Sequence, residues 1–233
     1  MSVGGDTPMN KRDIKRLRTM RYFIDAAQGI LEEEGLDGLT IRRVADRAGY
    51  NSATIYSYFE NLEHLAFYAS LKYLKSYLVR LSAMTLPHNG LERFTAIWRC
   101  FAAEAFQYPD YYYNIFYAPH RFQFNDSIRL YYQIYPEQLE NISEDLLPML
   151  MGSNIYERDF ESLKRCVDQG YFSADRIPEI NDIVVLLFQS YLLRVRSGES
   201  DLPLEEHVDR IIRYFTAIIK GYICKARNPN PAQ

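Results

Sequence analysis

The stretch that most constrains the fold runs from Thr40 to Phe59 and reads TIRRVADRAGYNSATIYSYF. Thr40 precedes a run with helical spacing, where its hydroxyl can cap the free amides of a helix start. Gly49 stands where that helix can end in the left-handed conformation, which glycine adopts without a steric penalty. Asn51 and Ser52 can then cap a second helix. The apolar side chains at helical spacing are Ile41, Val44, Ala45, Ala48, Ile55 and Phe59. The stretch therefore predicts two short helices joined by a tight turn.

The outward face of the second helix is small and rich in hydroxyl groups. Such a face suits the major groove of DNA, where hydroxyls reach phosphates or base edges and an alanine can meet a thymine methyl group. We therefore interpret the stretch as a helix-turn-helix. The predicted DNA-contacting residues, which include two from the basic segment that precedes it, are Lys15, Arg16, Thr40, Arg42, Asn51, Ser52, Ala53, Thr54, Tyr56, Ser57 and Tyr58.

Residues 21–65 resemble the DNA-binding domain of the TetR family of bacterial transcriptional regulators. At Leu62 the chain departs from the family pattern, which usually has a lysine at the start of the fourth helix and a phosphate contact there. The features that carry the resemblance are Phe23-Ile24, Ala26-Ala27, Gly35, Thr40-Ile41, Val44-Ala45, Ala48-Gly49, Thr54-Ile55-Tyr56, Tyr58-Phe59, Glu63 and Leu65. The resemblance implies a regulator that binds operator DNA as a dimer and responds to a small-molecule effector.

Charge is distributed unevenly along the chain. Residues 10–21 carry six basic side chains against Asp13, a net +5, whereas the whole chain carries −3. This asymmetry favours a basic N-terminal arm that touches a polyanion while an acidic body stays in solvent. The alternative is a solvated tail without a partner. The six basic residues are Lys11, Arg12, Lys15, Arg16, Arg18 and Arg21.

The chain is predicted to be all-α, with an N-terminal three-helix helix-turn-helix domain followed by a larger helical domain. Its 233 residues, 48% of them hydrophobic, suffice for a full core, and no strand alternation is present. We place the DNA-binding domain at residues 10–60 and the effector-binding and dimerisation domain at 61–227. The predicted helices after the helix-turn-helix are Leu62 to about Met84, Leu91–Tyr108, Tyr111–Tyr117, 127–150 with an interruption at Pro136, Tyr156–Gly170, Ile180–Arg196 and Leu204–Cys224.

Aromatic residues are concentrated between Phe94 and Tyr135, where 15 of 42 positions are aromatic, against 15% for the whole chain. They are consistent with a ligand cavity in which rings supply apolar area and tyrosine hydroxyls supply polar contacts. Ordinary core aromatics are the alternative for any single residue. Glu104 could pair with a cationic ligand or lie on a helix rim. The predicted lining residues are Trp98, Phe101, Tyr112, Tyr113, Phe116, Tyr117, Tyr131 and Tyr135.

The two C-terminal helices, Ile180–Arg196 and Leu204–Cys224, carry more apolar surface than one neighbouring helix covers. The first is apolar nearly all round, which predicts burial on two sides. Two such helices from each of two chains would form a four-helix interface, and an internal hairpin packed on the body is the alternative. The predicted interface residues of the homodimer are Leu187, Tyr191, Ile211, Phe215, Ile218 and Tyr222.

Little in the sequence supports catalysis. The four histidines lack metal-ligand spacing, and no nucleophile elbow, glycine-rich phosphate loop or nucleotide fingerprint occurs. Three widely separated cysteines and the lack of a signal peptide or a membrane-length apolar run predict a soluble cytoplasmic protein. We therefore expect no enzyme activity, no metal, no cofactor and no membrane partner.

The sequence thus predicts a ligand-responsive transcriptional repressor that binds operator DNA as a homodimer and is released by a small-molecule effector. The alternative is a helical small-molecule-binding protein or enzyme whose helix-turn-helix is vestigial. The two hypotheses differ in whether the chain binds duplex DNA with a steep dependence on salt.

Overall fold

A computed structural model describes residues 10–118, 124–152 and 154–223, and in this part of the chain the fold is all-α, without strands. None of the helices described there is long and apolar enough to cross a membrane. The α-helices are α1 (Lys11–Glu34), α2 (Ile41–Ala48), α3 (Ser52–Ile55), α4 (Leu62–Ser70), α5 (Leu74–Ala83), α6 (Gly90–Gln107), α7 (Pro109–Phe116), α8 (Phe124–Ile134), α9 (Leu147–Leu150), α10 (Ile155–Asp168), α11 (Ile177–Arg196) and α12 (Leu204–Tyr222).

The chain forms two compact units. The first comprises Met1–Lys72 and Ala118–Glu140, and the second comprises Tyr73–Tyr117 and Asn141–Gln233. Both α4 and α8 therefore pack with the helix-turn-helix in the first unit, although the sequence analysis assigned them to the domain at 61–227. The boundaries of the two packing units therefore differ from those of the predicted functional domains. The functional domains at 10–60 and 61–227 remain a prediction.

The helix-turn-helix forms through the local signals that the sequence contains. The Thr40 side chain accepts a hydrogen bond from the backbone amide of Arg43 and so caps α2. Gly49 ends α2 at φ 73°, in the left-handed region. Asn51 caps α3 by accepting from the amide of Ala53 at 2.9 Å. The predicted pair of helices and the turn between them are confirmed.

Phe23 of α1 is at the centre of the core beneath the helix-turn-helix and is fully buried. Its ring centroid lies 4.9 Å from that of Tyr50, 5.6 Å from that of Tyr58 and 6.4 Å from that of Phe59. Ile55 is also fully buried. The short α3 is therefore held from below by aromatic and aliphatic packing, since four residues alone would not form a stable helix.

The long helix predicted from Leu62 to about Met84 is interrupted. α4 ends at Ser70, a 3-10 turn covers Leu71–Tyr73, and α5 follows. Within the first unit Lys72 pairs with Glu32 of α1, whereas within the second unit the ring of Tyr73 stacks on that of Tyr111, 3.7 Å between centroids. Lys72 and Tyr73 thus pack into different units although they are adjacent in the chain. The α-helix is replaced by a 3-10 turn at this point.

Most of the remaining helices begin and end within a few residues of their predicted bounds, but the predicted helix after Pro136 is largely absent, because residues 139–146 are not helical and α9 covers only Leu147–Leu150. The predicted interruption at Pro136 is confirmed, because α8 ends at Ile134 and a 3-10 turn covers Pro136–Gln138. The predicted end of the last helix, Cys224, lies outside the described residues.

The core of the second unit is built around Trp98 of α6. Its ring lies 4.9 Å from that of Phe188 in α11 and 4.9 Å from that of Phe215 in α12. Both phenylalanines are fully buried. In the single chain, α11 buries one face only, and its opposite face exposes the apolar side chains of Ile183, Leu186 and Leu193. These three side chains face outwards because no other described helix packs over them.

Candidate functional site

The surface formed by α3 and the turn after it is open to solvent. Ala53, Tyr56 and Ser57 are exposed, and Ser52, Thr54 and Tyr58 are partly exposed, while Ile55 and Phe59 point into the core. The α-helix itself ends at Ile55, and the amide of Tyr58 donates to the carbonyl of Ile55 at 2.9 Å in the turn that follows. The predicted outward set therefore shares one accessible surface.

The two tyrosines of this surface are not equivalent. Tyr56 is 59% exposed, so its ring and hydroxyl are available to a ligand. Tyr58 is partly covered, with its ring packed against Phe23 and the guanidinium of Arg16 lying 5.3 Å from the ring centroid. Tyr56 is thus the freer group, and Tyr58 also stabilises the domain.

The basic segment at the N-terminus is helical. Asn10 caps α1 by accepting from the amides of Arg12 and Asp13, both at 2.9 Å, so the helix begins at Lys11. The basic arm therefore consists of the first turns of α1. Four of its side chains are exposed and form no ion pair with a residue that the structure describes: Lys11, Arg12, Lys15 and Arg18.

Arg16 connects α1 to the recognition surface. Its Nη1 donates to the carbonyl oxygen of Ser57 at 3.1 Å, in addition to its contact with the ring of Tyr58. This arginine therefore fixes the turn after α3. The sequence analysis assigned it a DNA contact, and the structure adds a positioning role that no periodicity indicated.

Three arginines of α2 have different surroundings. Arg42 is highly exposed, and its Nε lies 3.9 Å from the Asp46 carboxylate. Arg43 pairs with Glu34, and Arg47 donates to Glu33 at 2.8 Å. The hydrogen bonds from these two arginines hold the pKa values of both glutamates below their usual range. Arg42 is therefore available to DNA, whereas Arg43 and Arg47 tie α2 to α1.

A cavity of about 30 Å³ lies inside the second unit, between α5, α6, α9 and α10. Its polar lining consists of three residues of α10, Arg158, Asp159 and Ser162. The apolar lining consists of Tyr77, Ile97, Trp98, Phe101, Met149, Leu150 and Ile155. An apolar interior with a few convergent polar groups is the usual composition of a small-molecule site.

Asp159 is the acidic group of this cavity and is only 2% exposed. Its Oδ1 accepts hydrogen bonds from Trp98 Nε1 at 2.6 Å and from Ser162 Oγ at 3.2 Å. Its Oδ2 is buried and has no hydrogen-bond partner among the described residues. Burial raises the pKa of this carboxyl group to about 7, against the lowering effect of the hydrogen bonds from Trp98 and Ser162.

The neighbouring cation does not neutralise Asp159. Arg158 is 5% exposed, and its Nε and Nη2 donate to the carbonyl oxygens of Gly152 at 3.1 Å and Leu150 at 2.9 Å. The guanidinium also lies over the ring of Phe116, 5.2 Å from its centroid. The Arg158 guanidinium therefore donates to backbone carbonyls before α10 and lies over an aromatic ring, and it does not pair with Asp159.

Glu104, which the sequence analysis considered as a partner for a cationic ligand, already has a cation. Its Oε1 lies 2.7 Å from Arg80 Nε, and it also accepts a hydrogen bond from Ser76. The side chain is 1% exposed. Glu104 is therefore a buried structural carboxylate and not a free acceptor.

The predicted lining residues are only partly brought together. Trp98 and Phe101 line the cavity. Tyr112 and Phe116 pack behind Phe101, each with a centroid distance of 5.3 Å. Tyr113 lies under the guanidinium of Arg196. The buried hydroxyl group of a further predicted residue, Tyr117, has no partner among the described residues.

Tyr131 and Tyr135 were predicted to line the ligand cavity, but neither is among the residues that line it. Both belong to the first unit, whereas the cavity lies in the second. The Tyr135 hydroxyl donates to the Asp25 carboxylate at 2.6 Å, and the Tyr131 hydroxyl accepts from Gln138 Nε2 at 2.9 Å. Arg21 adds a 2.7 Å ion pair with Glu137. These tyrosines hold α8 and the turn after it against α1, so their side chains are occupied structurally.

The predicted dimer residues also need correction. Ile211 and Phe215 are fully buried within the single chain, and Tyr191 is 7% exposed with its hydroxyl 3.0 Å from His207 Nδ1. These three are core residues because they face neighbouring helices of the same chain rather than solvent. Leu187, Ile218 and Tyr222 are partly exposed. The sequence did not indicate the most exposed apolar side chains of these helices, Ile183, Leu186, Leu193, Leu204 and Tyr214.

Comparisons with known proteins agree with this architecture. The family model described as bacterial regulatory proteins, tetR family, matches residues 23–69. A structure from Rhodococcus sp. RHA1, described as a protein with unknown function, is 15% identical with a TM-score of 0.54, covering 88% of this chain and 96% of that one. The likeness shows a shared fold.

Two further solved structures are similar over most of the chain at lower scores. A transcriptional regulator of the TetR/AcrR family from Thermobifida fusca YX-ER1 is 18% identical, with a TM-score of 0.49 over 89% of this chain and 100% of that one. The fatty acid degradation regulator FadR from Bacillus halodurans is 14% identical, with a TM-score of 0.48 over 84% and 94%. No curated protein sequence matches significantly.

Proposed function

Residues 23–69 carry the helix-turn-helix domain of the TetR family of bacterial regulators, and from this premise we propose that the chain is a ligand-responsive transcriptional repressor. It binds operator DNA as a homodimer in the cytoplasm and is released by a small-molecule effector. The observation that carries the proposal is the accessible surface of α3 and its following turn on a domain of this family. Residues 10–60 act in DNA binding, and residues 61–227 act in effector binding and dimerisation.

DNA recognition is supported by the chemistry of the exposed surface. Tyr56, Ser57 and Thr54 present hydroxyl groups that reach phosphate oxygens or base edges, and Ala53 leaves room for close approach to the groove. The exposed cations at the start of α1, among them Lys15, lie on the domain that carries this surface. Basic side chains add affinity through release of counterions from the duplex, independently of its sequence.

Dimerisation is supported by the uncovered faces of α11 and α12. Leu186 is 50% exposed, Tyr214 43%, Leu193 39% and Ile183 37%. Leu193 and Tyr214 line the same surface pocket, and exposed apolar patches mark interaction surfaces. A two-fold dimer suits an operator, because two recognition helices about 34–36 Å apart reach successive major grooves.

Release by an effector requires a ligand that favours one spacing of the recognition helices over another. A ligand shifts such an equilibrium only by its difference in affinity for the two states. The internal cavity of the second unit provides the binding site in this proposal. The 3-10 turn Leu71–Tyr73, between α4 and α5, is the segment of chain through which a change in the second unit would reach α4.

The test is selection of duplexes from a random-sequence pool, followed by affinity measurements at several salt concentrations. We expect an enriched, two-fold symmetric site and a log–log salt slope of about −0.9 per phosphate contacted. Tyr56→Ala should weaken binding to that site, and Tyr22→Ala is the matched control, since Tyr22 is a comparably exposed tyrosine, 61%, outside the predicted surface. No enriched duplex and a flat salt response would instead indicate a small-molecule-binding protein with a vestigial helix-turn-helix.

A further inference from the structure

The cavity between α5, α6, α9 and α10 identifies a chemical class of effector. We infer that it binds a primary amine carried on a slim apolar body, with the ammonium group donating to Asp159 Oδ2. The inference rests on the proposed function, because it names the ligand of a regulator.

The first support is the hydrogen bonding of Asp159. Its Oδ1 accepts from the indole N–H of Trp98 at 2.6 Å, which fixes the orientation of the carboxyl group. The single hydroxyl hydrogen of Ser162 is shared between this oxygen, at 3.2 Å, and the backbone carbonyl of Asp159, at 2.7 Å. The Oδ2 of Asp159 is buried without a donor among the described residues. A buried acceptor without a partner costs free energy, and a donor brought by a ligand removes that cost.

The second support is charge. A buried carboxylate is stabilised by a cation, and Arg158, the cation beside it in the chain, directs its donors to the carbonyls of Leu150 and Gly152. An ammonium ion is small and carries three donors, so it can approach one carboxylate oxygen closely. A carboxylate ligand would be repelled by Asp159.

The two buried carboxylates described in the second unit differ in their partners. Glu104 is paired with Arg80 at 2.7 Å and accepts from Ser76. Asp159 has neutral donors on one oxygen only. The same fold thus supplies a cation to one buried acid and leaves the other without one, at the wall of a cavity.

The third support is the aromatic part of the lining. The rings of Tyr77 and Trp98 both stand nearly perpendicular to that of Phe101, at 85° and 87°, with centroid distances of 5.5 and 5.4 Å. Rings in such an arrangement present faces and edges around a common space, and ring faces attract cations, most strongly when water is excluded. A protonated amine gains from both the carboxylate and these rings.

The size of the cavity selects a slim ligand. About 30 Å³ holds one or two water molecules, whereas sites for drug-sized ligands measure about 300–1,000 Å³. Met149, an unbranched and adaptable side chain, lies in the wall beside Leu150 and Ile155. A straight alkyl chain can displace such side chains with less disturbance than a bulky ring.

The test uses the intrinsic fluorescence of Trp98, which is the one tryptophan of the chain and donates to Asp159. The full-length protein is titrated with n-butylamine, n-butanol and sodium butyrate at about pH 8, where the amine is protonated and the Asp159 carboxyl group is mostly ionised. We expect a saturable change with n-butylamine and binding at least tenfold weaker for the alcohol and the carboxylate. Equal binding of n-butanol and n-butylamine would overturn the assignment to cations.

Asp159→Asn tests the residue, since it keeps an oxygen for Trp98 and removes the charge. Asp168→Asn is the matched control, the same change at an exposed position of α10. We expect Asp159→Asn to weaken n-butylamine binding at least tenfold and Asp168→Asn to leave it within twofold. Unchanged affinity in Asp159→Asn, or no saturable response in the unmodified protein, would refute the inference.

Failure of this inference can be distinguished from failure of the proposed function. Amine binding is measured without DNA, and DNA binding is measured without amine. Duplex binding with no amine response refutes the amine site and leaves the regulator intact, whereas amine binding without any duplex binding refutes the regulator and leaves the site. A helical far-ultraviolet spectrum for Asp159→Asn excludes unfolding as the cause of lost binding.

Discussion

Replacing Asp159 by asparagine should stabilise the fold increasingly as the pH rises. In the folded chain, burial raises the pKa of the Asp159 carboxyl group to about 7, against a usual value of 3.8. The difference of about three pKa units corresponds to about 4 kcal/mol at 1.36 kcal/mol per unit. This is the free energy that ionisation of Asp159 takes from the folded state when the cavity holds no cation.

The sign follows from proton binding. Between about pH 4 and pH 7 the folded chain holds the Asp159 proton and the unfolded chain has lost it, so stability falls as pH rises. Below about pH 4 both states are protonated, and above about pH 7 the loss is complete. The asparagine side chain of the variant does not titrate. The stability of Asp159→Asn relative to the unmodified protein should therefore increase by about 2 to 3 kcal/mol between pH 5 and pH 8.

The assay is urea unfolding followed by far-ultraviolet circular dichroism, at equal protein concentration for both proteins and both pH values. Other groups titrate alike in the two proteins and cancel in the difference. Of the neighbours that sense the Asp159 charge, burial raises the pKa of Cys166 to about 12 and that of Tyr117 well above its usual value, so neither titrates in this range. A stability difference that does not change between pH 5 and pH 8 would refute the reasoning.

Three further predictions concern the remaining surfaces. Tyr56→Ala should weaken operator binding at least tenfold with little change in Tm, whereas Tyr58→Ala should also lower Tm by a few degrees, because its ring packs in the core; gel shift and thermal melts separate the two. Leu186→Glu should convert a dimer to a folded monomer in sedimentation, whereas Phe215→Glu should unfold the chain, since a carboxylate at a fully buried site costs several kcal/mol. Lys15→Gln should reduce the magnitude of the log–log salt slope of the dimer by about 1.8 if each subunit loses one phosphate contact, and an unchanged slope would show that Lys15 does not touch DNA.

The helix-turn-helix could be predicted from the sequence because its signals are local. A capping hydroxyl at Thr40, a left-handed glycine at Gly49 and a capping amide at Asn51 each act within three or four residues. Such signals do not depend on what the rest of the chain does. The structure accordingly agrees with the sequence in the bounds and the caps of α2.

The orientation of α11 and α12 could not be predicted in the same way. Periodicity showed that Phe215 belongs to an apolar stripe, but a stripe can face a core or a partner chain. Phe215 faces the core because it packs against Trp98, which lies more than 100 positions earlier in the chain. The exposed Leu186 was hidden in a helix that is apolar nearly all round, where sequence spacing does not separate inside from outside.

The sequence indicated two of the residues that line the cavity and missed its polar residues. The aromatic cluster indicated Trp98 and Phe101 correctly as neighbours, yet it also included Tyr131 and Tyr135, which pack elsewhere. One feature of the sequence could have indicated Asp159. It is an acidic residue on the face of α10 that also carries Ile155 and Leu163, both of which are buried. A charged residue on an apolar helix face is unusual enough to support a hypothesis of its own.

The attachment of α8 to α1 has a consequence for how this protein can be dissected. A fragment that ends at residue 60 would keep Asp25 and Arg21 but lose Tyr135 and Glu137, which bind them. It would also lose α4, which buries Leu65 and Phe67 in the same unit. The first unit is thus assembled from stretches about a hundred positions apart, so a single cut through the chain would not release it whole.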